Sequence, residues 1–458
     1  MANPQPPLAD LQARAARPGA EAVRLHPVYR GKIQTAPRVP IRSSADFAIW
    51  YTPGVAASCR AIQERPEAVY EHTGKGNTVA VVSDCTRVLG LGDIGPEAGL
   101  PVMEGKALLF KYLGGVDAVP ICLDTRDPDE LVRIVRCLQP AFGGINLEDI
   151  AQPKCFRVLD ALRADPAITI PVWHDDQQGT ATVVLGALLG ALRVVGKRLD
   201  RVVVAMIGMG AANVATARLL LTAGVPAGHL VGVDTGGILH PDRSDVAARR
   251  HELVTKWRLC RESNAAGRRG GIAEALAGAD VCLAFSTSTP GTIRPEWVRA
   301  MAPHAIVFAC ANPLPEIWPW EAHEAGAAVV ATGRSDFPNQ VNNSLGFPAI
   351  FRGALDVRAR TISDGMCLAA ARAIAAVAAD RGLRPDAVVP AMDDGELYVR
   401  EAVAVAMSAQ AEGVARLSRA PEDLADDAAA TIRRAQATAR SLVELGHIAP
   451  IPPELAGR

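Results

Sequence analysis

Two acidic pairs and one lysine carry the most chemistry in this chain. Asp175 and Asp176 lie in HDDQQGTA, after the extended run ITIPVW and ahead of a helix start. Glu148 and Asp149 lie in GGINLEDI, also behind a strand-like run. Carboxylates at the C-terminal ends of parallel strands project into the crevice where α/β sheets bind ligands. Each pair alone reads first as a helix cap or a solvated loop. Together they place four hard oxygen donors at two strand ends, a set suited to Mg²⁺ or Mn²⁺. Lys106, in MEGKALLFK, either snorkels from a buried helix face or, desolvated beside a carboxylate, serves as a base. Arg87, beside the glycines of SDCTRVLGLGDIG, can clamp a carboxylate or form a surface ion pair. Tyr51, in WYTPGVA, is either a structural turn residue or a phenolic proton donor. Asn312 in ANPLPE and Asn343 in NQVNNSLGFP follow strands, where neutral amides can orient a carboxylate.

A second constellation suits a dinucleotide. VVVAMIGMGAANVA sets Gly208 and Gly210 between a strand and a helix that opens at Ala211. The first glycine permits the tight turn, the second lets backbone approach a pyrophosphate, and the helix N-terminus offers free N–H groups. Asn213 stands where a third glycine would serve close helix–strand packing, so some shift of the helix is expected. Asp234 closes the next strand, 24 residues beyond Gly210, near the ~20 expected of an acid holding the ribose hydroxyls. The same turn could serve packing alone in an α/β fold without nucleotide. No arginine immediately follows Asp234, and a carboxylate there repels a 2′-phosphate, which favours NAD over NADP. Arg243, Lys256 and Arg258 lie further on, where a loop could bring one of them back.

The elements that must position these groups alternate. NTVAVVSD (77–84), VDAVPICLD (116–124) and ITIPVW (168–173) read as buried strands, with helical spacing over 101–114 and 128–139. A long helix is expected at 178–196. Beyond it come strands at 201–208, 229–234, 280–285, 305–311 and 327–333, with a helix at 211–223, a doubly wound pattern. Ala-rich helices follow at 369–382 and 429–446, expected to pack back on the first domain. The expected division is a lead-in at 1–25, an α/β substrate and metal domain at 26–190, a Rossmann-type dinucleotide domain at 191–355 and a helical segment at 356–458.

The 458 residues carry 48 Lys and Arg against 49 Asp and Glu, a net charge of −1, with 4% aromatics. That balance argues against nucleic acid as a main partner. Nine cysteines without a CxxC pair suit a reducing cytoplasm rather than a disulfide framework or a zinc site. No secretory h-region is seen, and the apolar run 182–195 is too short to span a bilayer.

Taken together, YTPGVA, TGKGNTVAVVSDCTRVLGLGDIGP, MEGKALLFK, GGINLEDI, HDDQQGTA, ANPLPE and ATGRSDFPNQVNNSLGFPAIFRGALD resemble the malic enzyme family in its short bacterial form, colinearly over roughly residues 25–400. The resemblance implies oxidative decarboxylation of L-malate to pyruvate and CO₂ with NAD or NADP and Mg²⁺ or Mn²⁺, in a homodimer. It implies Glu148, Asp149 and Asp176 as metal ligands, Lys106 with Asp175 as the base, and Tyr51 as the acid. Arg87, Asn312 and Asn343 would hold the substrate; Gly208, Gly210, Ala211, Asn213, Asp234 and Asn312 would hold the dinucleotide. For Lys106 to act as a base its pKa must be depressed, which burial beside a metal is expected to do. Three features depart from the short bacterial pattern: Gln178 where His is usual, Cys85 where Gly is usual, and Asn213. Long hybrid members append an acetyltransferase-like domain, which this chain is too short to hold. A malolactic-type enzyme, a β-decarboxylating dehydrogenase of a malate-like acid and a dinucleotide-binding regulator are the alternatives.

Overall fold

Thr78–Ser83 is valine-rich and buried along nearly its whole length, and it forms β1 near the centre of a four-stranded parallel sheet. β2 (Asp117–Cys122) lies on one side of β1, and β3 (Gly144–Leu147) and β4 (Val172–His174) follow on the other. The protein is described from a computed structural model covering residues 8–453. Residues 1–7 of the lead-in and 454–458 of the tail lie outside the described residues, and Leu8–Tyr29 is helical.

β4 begins four residues later than the apolar run ITIPVW suggests. Pro171 has no N–H to give a ladder, and only its carbonyl is used, by Ile145 N at 2.9 Å. Upstream, Thr169 N is taken instead by the Gln139 side chain at 2.6 Å. The helix Pro96–Gly114 starts on a proline and stops at Gly115, whose φ of 64° ends it in the left-handed region. It presents Met103, Lys106, Ala107 and Phe110 to the interior.

Beyond β4 the chain makes one π-helical turn, Asp175–Gly179, and continues as the helix Thr180–Val195. The two together, 175–195, are long and apolar enough to cross a membrane, so length does not exclude a span as the run 182–195 suggested. Most of this segment is instead buried inside the protein, where its apolar surface is already used.

The second sheet has the order β10-β9-β8-β5-β6-β7. β5 (Val204–Ile207), β6 (Leu230–Asp234), β8 (Val281–Ala284), β9 (Ile306–Ala309) and β10 (Val329–Thr332) are parallel. β7 (Gly237–Ile238) is a two-residue antiparallel edge that the sequence did not announce, turned by Thr235-Gly236. The chain runs from β5 to β6 on one side and returns to β8 on the other, so a crevice opens between β5 and β8. Gly208 sits at that crevice with φ 85°, and a Cβ there would lie 2.6 Å from the Phe285 carbonyl oxygen.

The C-terminal helices lie on the first sheet's helices. Thr431, in the helix Pro421–Glu444, touches Gly115, and Gln436 Nε2 donates to the Tyr112 carbonyl at 3.1 Å. The helix Gly395–Ala411, absent from the sequence reading, packs Ala402 against Gly353 of the helix Phe347–Asp356.

Candidate active site

β1, β3 and β4 end side by side, and their ends carry the acidic pairs. Glu148 directly follows β3, and its backbone N–H bonds Val82 O of β1 at 2.9 Å. Asp149 turns the chain through φ 53°, and its carbonyl receives Arg87 N at 3.0 Å. Asp175 and Asp176 open the π turn after β4. Asp176 Oδ2 accepts the Asp149 N–H at 2.9 Å, which ties the two strand ends together. Carboxylate oxygens of Glu148, Asp149 and Asp176 lie within 4.8 Å of one another.

Lys106 reaches into this cluster from the 96–114 helix. Its Nζ is 2.5 Å from Asp175 Oδ2 and 2.9 Å from Glu148 Oε1, and its ammonium lies 4.2 Å from the Phe347 ring centroid. Burial alone works against the cation, but Asp175 and Glu148 outweigh it and raise Lys106 above its ordinary value. Two buried anions thus share one cation. Asn343 Nδ2 donates to the same Asp175 oxygen at 2.5 Å, and Trp173 Nε1 to the other at 3.3 Å. Gly179 is required by this arrangement: a Cβ there would sit 1.9 Å from Asp175 Oδ1.

The three clustered acids fit a divalent cation. Asp149 Oδ2 is buried without a partner. Burial, with Asp176 opposite, pushes the Asp149 carboxyl up to about 8, and burial pushes Glu148 up as well. Such a set is under-compensated in charge, and hard anionic oxygens at this spacing match Mg²⁺ or Mn²⁺. Asn146, inside β3, was missed by the sequence reading; its Nδ2 donates to Glu148 Oε2 at 2.8 Å and aims that carboxylate. Its signal was a polar residue in an apolar strand, two positions before Glu148 and therefore on the same face. His174, fully buried with both ring nitrogens unpartnered and its pKa lowered by burial, was also missed. It lies 3.6 Å from Asp176.

The departures at Gln178 and Cys85 prove structural. Gln178 is buried and accepts the His174 N–H at 3.2 Å, locking the π turn to β4. Cys85 has φ 54°, the conformation that makes glycine usual there, and its thiol packs away from solvent against Gly99 of the 96–114 helix.

The dinucleotide turn faces the same crevice. Gly210 lies against Gln152, just beyond the Glu148–Asp149 pair, with a Cβ there placed 3.8 Å from Gln152 Nε2. Ala211 begins the helix Ala211–Thr222. Asn213 sits beneath the start of this helix. Fully buried, its Nδ2 lies 3.1 Å from each of the carbonyls of Ile207, Gly208 and Leu283, and it binds the helix to β5 and β8. At Asp234 two of the downstream cations return. Arg243 approaches to 2.9 Å from the loop after β7, and Lys256 to 3.2 Å from the helix Val254–Glu262. Arg243 is held in turn by Asp245 through two bonds of 2.7 and 2.6 Å.

The remaining residues divide. Gly90 packs on Asn312 and Pro313, so the Arg87 loop of the first sheet meets the Asn312 loop of the second. Arg87 and Asn312 are exposed at this mouth, and Arg87 Nη1 donates only to Leu89 O, at 3.3 Å. Tyr51 is not brought in: its side chain is 71% exposed and makes no hydrogen bond among the described residues.

Residues 30–163 match the malic enzyme N-terminal domain, and 177–412 match the malic enzyme NAD binding domain. The chain is 48% identical to an NAD-dependent malic enzyme of Geobacillus stearothermophilus over 85% of its own length and 79% of that protein's. It is 46% identical to a bifunctional malic/malolactic enzyme of Bacillus subtilis, over 89% of this chain and 96% of that one. A crystal structure of Entamoeba histolytica malic enzyme superposes with a TM-score of 0.94 at 45% identity, covering 98% of this chain and 94% of that one. A lysine clamped between buried carboxylates, an acidic triad beside it and a glycine turn facing both thus occur in a chain that belongs to the malic enzyme family.

Proposed function

We propose that the protein oxidatively decarboxylates L-malate to pyruvate and CO₂ with NAD(P)⁺ and a divalent cation. The observation that carries this reading is Lys106 held by Asp175 and Glu148, with the Glu148, Asp149 and Asp176 oxygens clustered alongside. Glu148, Asp149 and Asp176 would hold a divalent cation, which would supply Lewis acidity when bound, and the glycine turn would hold the dinucleotide, which would supply a hydride acceptor. Asp175, bonded to the Lys106 ammonium, receives the hydroxyl proton, the pair acting as one proton-holding unit. Arg87, Asn312 and Asn343 orient the substrate carboxylates and hold malate at the junction of the two sheets. The resemblance assigns the proton returned to C3 to Tyr51, which this chain holds exposed outside the crevice.

Gly208, Gly210 and Ala211 take the pyrophosphate, with Asn213 holding the helix beneath it. Asp234 faces the adenosine ribose. Two acids and two cations meet there, so the cluster neither strongly repels nor strongly attracts a 2′-phosphate; NAD is the preferred cofactor by a narrow margin. The divisions at 26–190, 191–355 and 356–458, a homodimer and a reducing cytoplasm complete the proposal; all nine cysteines are free thiols.

Incubation with malate, Mn²⁺ and either dinucleotide should give reduced nicotinamide and pyruvate in equal amounts. Lactate without net reduction would assign the malolactic reaction named for the Bacillus relative. No turnover of malate would overturn the reading.

A further inference from the structure

Cys85 is placed by its loop, but its thiol also has a second neighbour, Cys122. The two stand at the ends of the adjacent strands β1 and β2, which run parallel with Ser83 paired to Cys122. Beyond Ser83 the chain folds back: Cys85 has φ 54°, and its N–H bonds Ser83 Oγ at 2.9 Å. On the other strand Leu123 N bonds Ser83 O at 2.8 Å. Both cysteines are thus gathered about one serine, and their thiols share a hydrogen bond. That bond is the largest influence on either group. It holds the Cys85 thiol down at about 7 and pushes Cys122 up, so the pair gives up its first proton easily and its second with difficulty.

The two sulfurs differ in access. Cys85 is fully buried, its Sγ 3.9 Å from Pro96 O and beneath Gly99, where a Cβ would meet it at 2.2 Å. Cys122 is half-buried. A reagent therefore reaches Cys122 first, and Cys85 stands behind it as the resolving thiol. Cys85 also begins the loop on which the acidic triad leans. Thr86 Oγ1 accepts Ala151 N at 2.9 Å, and Arg87 N bonds Asp149 O at 3.0 Å. Hydrogen-bonded sulfurs must close to ~2.05 Å to join. Drawing Cys85 toward Cys122 therefore pulls on Thr86 and Arg87, and through them on Asp149.

We propose that Cys85 and Cys122 form a reversible disulfide that loosens the Asp149 side of the cation site. The oxidant is a small-molecule disulfide of the glutathione class. The Cys122 thiolate attacks one of its sulfurs and one small thiolate leaves. Cys85 then attacks the Cys122 sulfur of the mixed disulfide and expels the second. The two protein thiols lose two electrons and two protons, and the small disulfide becomes two thiols. The effect on the cation rests on the reading of Asp149 as a ligand.

Peptide mapping and metal binding test it together. The whole protein, incubated with excess oxidised glutathione and then proteolysed, should yield a peptide pair joined through Cys85 and Cys122 in mass spectrometry. Mn²⁺ affinity of the oxidised protein, by calorimetry, should fall about tenfold or more, and dithiothreitol should restore it. Cys122→Ser and Cys85→Gly should each keep the Mn²⁺ affinity of the reduced wild type and lose the response to oxidant. Mixed disulfides alone, on Cys122 or on the exposed Cys59 and Cys137, would overturn the proposal. So would a cross-linked protein with unchanged Mn²⁺ affinity. A reduced wild type that binds no Mn²⁺ would instead overturn the functional reading of the triad, and with it the effect on the cation, while the peptide map still decides the bond.

Discussion

Asp176 supplies one carboxylate of the triad and at the same time accepts the Asp149 N–H. Asp176→Asn keeps the shape but removes a hard anionic donor. Mn²⁺ affinity by calorimetry should fall by at least the ~10–100-fold that loss of a supporting group costs; unchanged affinity would move the cation elsewhere. Asp245 stands one contact removed from Asp234, the acid proposed for the ribose. Its two bonds hold Arg243, which also pairs with Asp234. Asp245→Asn leaves one uncompensated positive charge beside the ribose position. The ratio of kcat/KM for NADP to that for NAD should rise about two- to fivefold, the scale of one exposed charge. The same ratio in wild type and variant would show that Arg243 does not read the cofactor. Both residues were visible as acids in the sequence. What each one touches was not, since Asp176 bonds a residue from another strand and Arg243 returns through a loop of no regular pattern.

Among the elements, the helix Gly395–Ala411 carries a buried acid that the proposed chemistry does not use. Glu401 is fully buried, and both its carboxyl oxygens lack partners. Burial alone holds its carboxyl well above the usual range. The folded protein therefore keeps Glu401 protonated at pH values where the unfolded chain has ionised, and the unfolded state gains. The stability penalty is absent below about pH 4, the ordinary carboxyl range, and grows by roughly 1 kcal/mol per pH unit above it. It levels off only once the folded carboxyl ionises in turn. Glu401→Gln should therefore match wild type in thermal midpoint near pH 4 and exceed it increasingly toward neutrality. Parallel midpoints across that range would show that Glu401 is partnered. This helix escaped the sequence reading because residues 402–407 are apolar all round, leaving no single apolar stripe to count. β4 was displaced for a different reason: apolarity marked the run from Ile168, whereas Pro171 decides where a ladder can begin.

At the scale of the whole molecule, the groups proposed to hold substrate come from two sheets that meet through small contacts. Gly90 is one of them, where a Cβ would stand 2.9 Å from Asn312 O and 3.1 Å from Pro313. Gly90→Ala should wedge the Arg87 and Asn312 loops apart. We expect kcat/KM for malate to fall by about tenfold or more, since small misplacements of reacting groups are costly. Mn²⁺ binding should be unchanged, because the acidic triad lies wholly on the first sheet's side. Unaltered malate kinetics would show that the loops do not act together. The alternation of strands and helices, the glycine turn, and the acids at strand ends were all legible from residue type and spacing. Those features depend on a few neighbouring residues, and backbone sterics and side-chain alternation act at that range. Only the tertiary structure decided that Lys106 is clamped by Asp175 and Glu148, that Asp234 is paired twice, that Asn213 anchors its helix, and that Tyr51 stands in solvent. Each of these depends on distance through space and on burial, and the partners involved lie on separate elements that one-dimensional spacing does not relate.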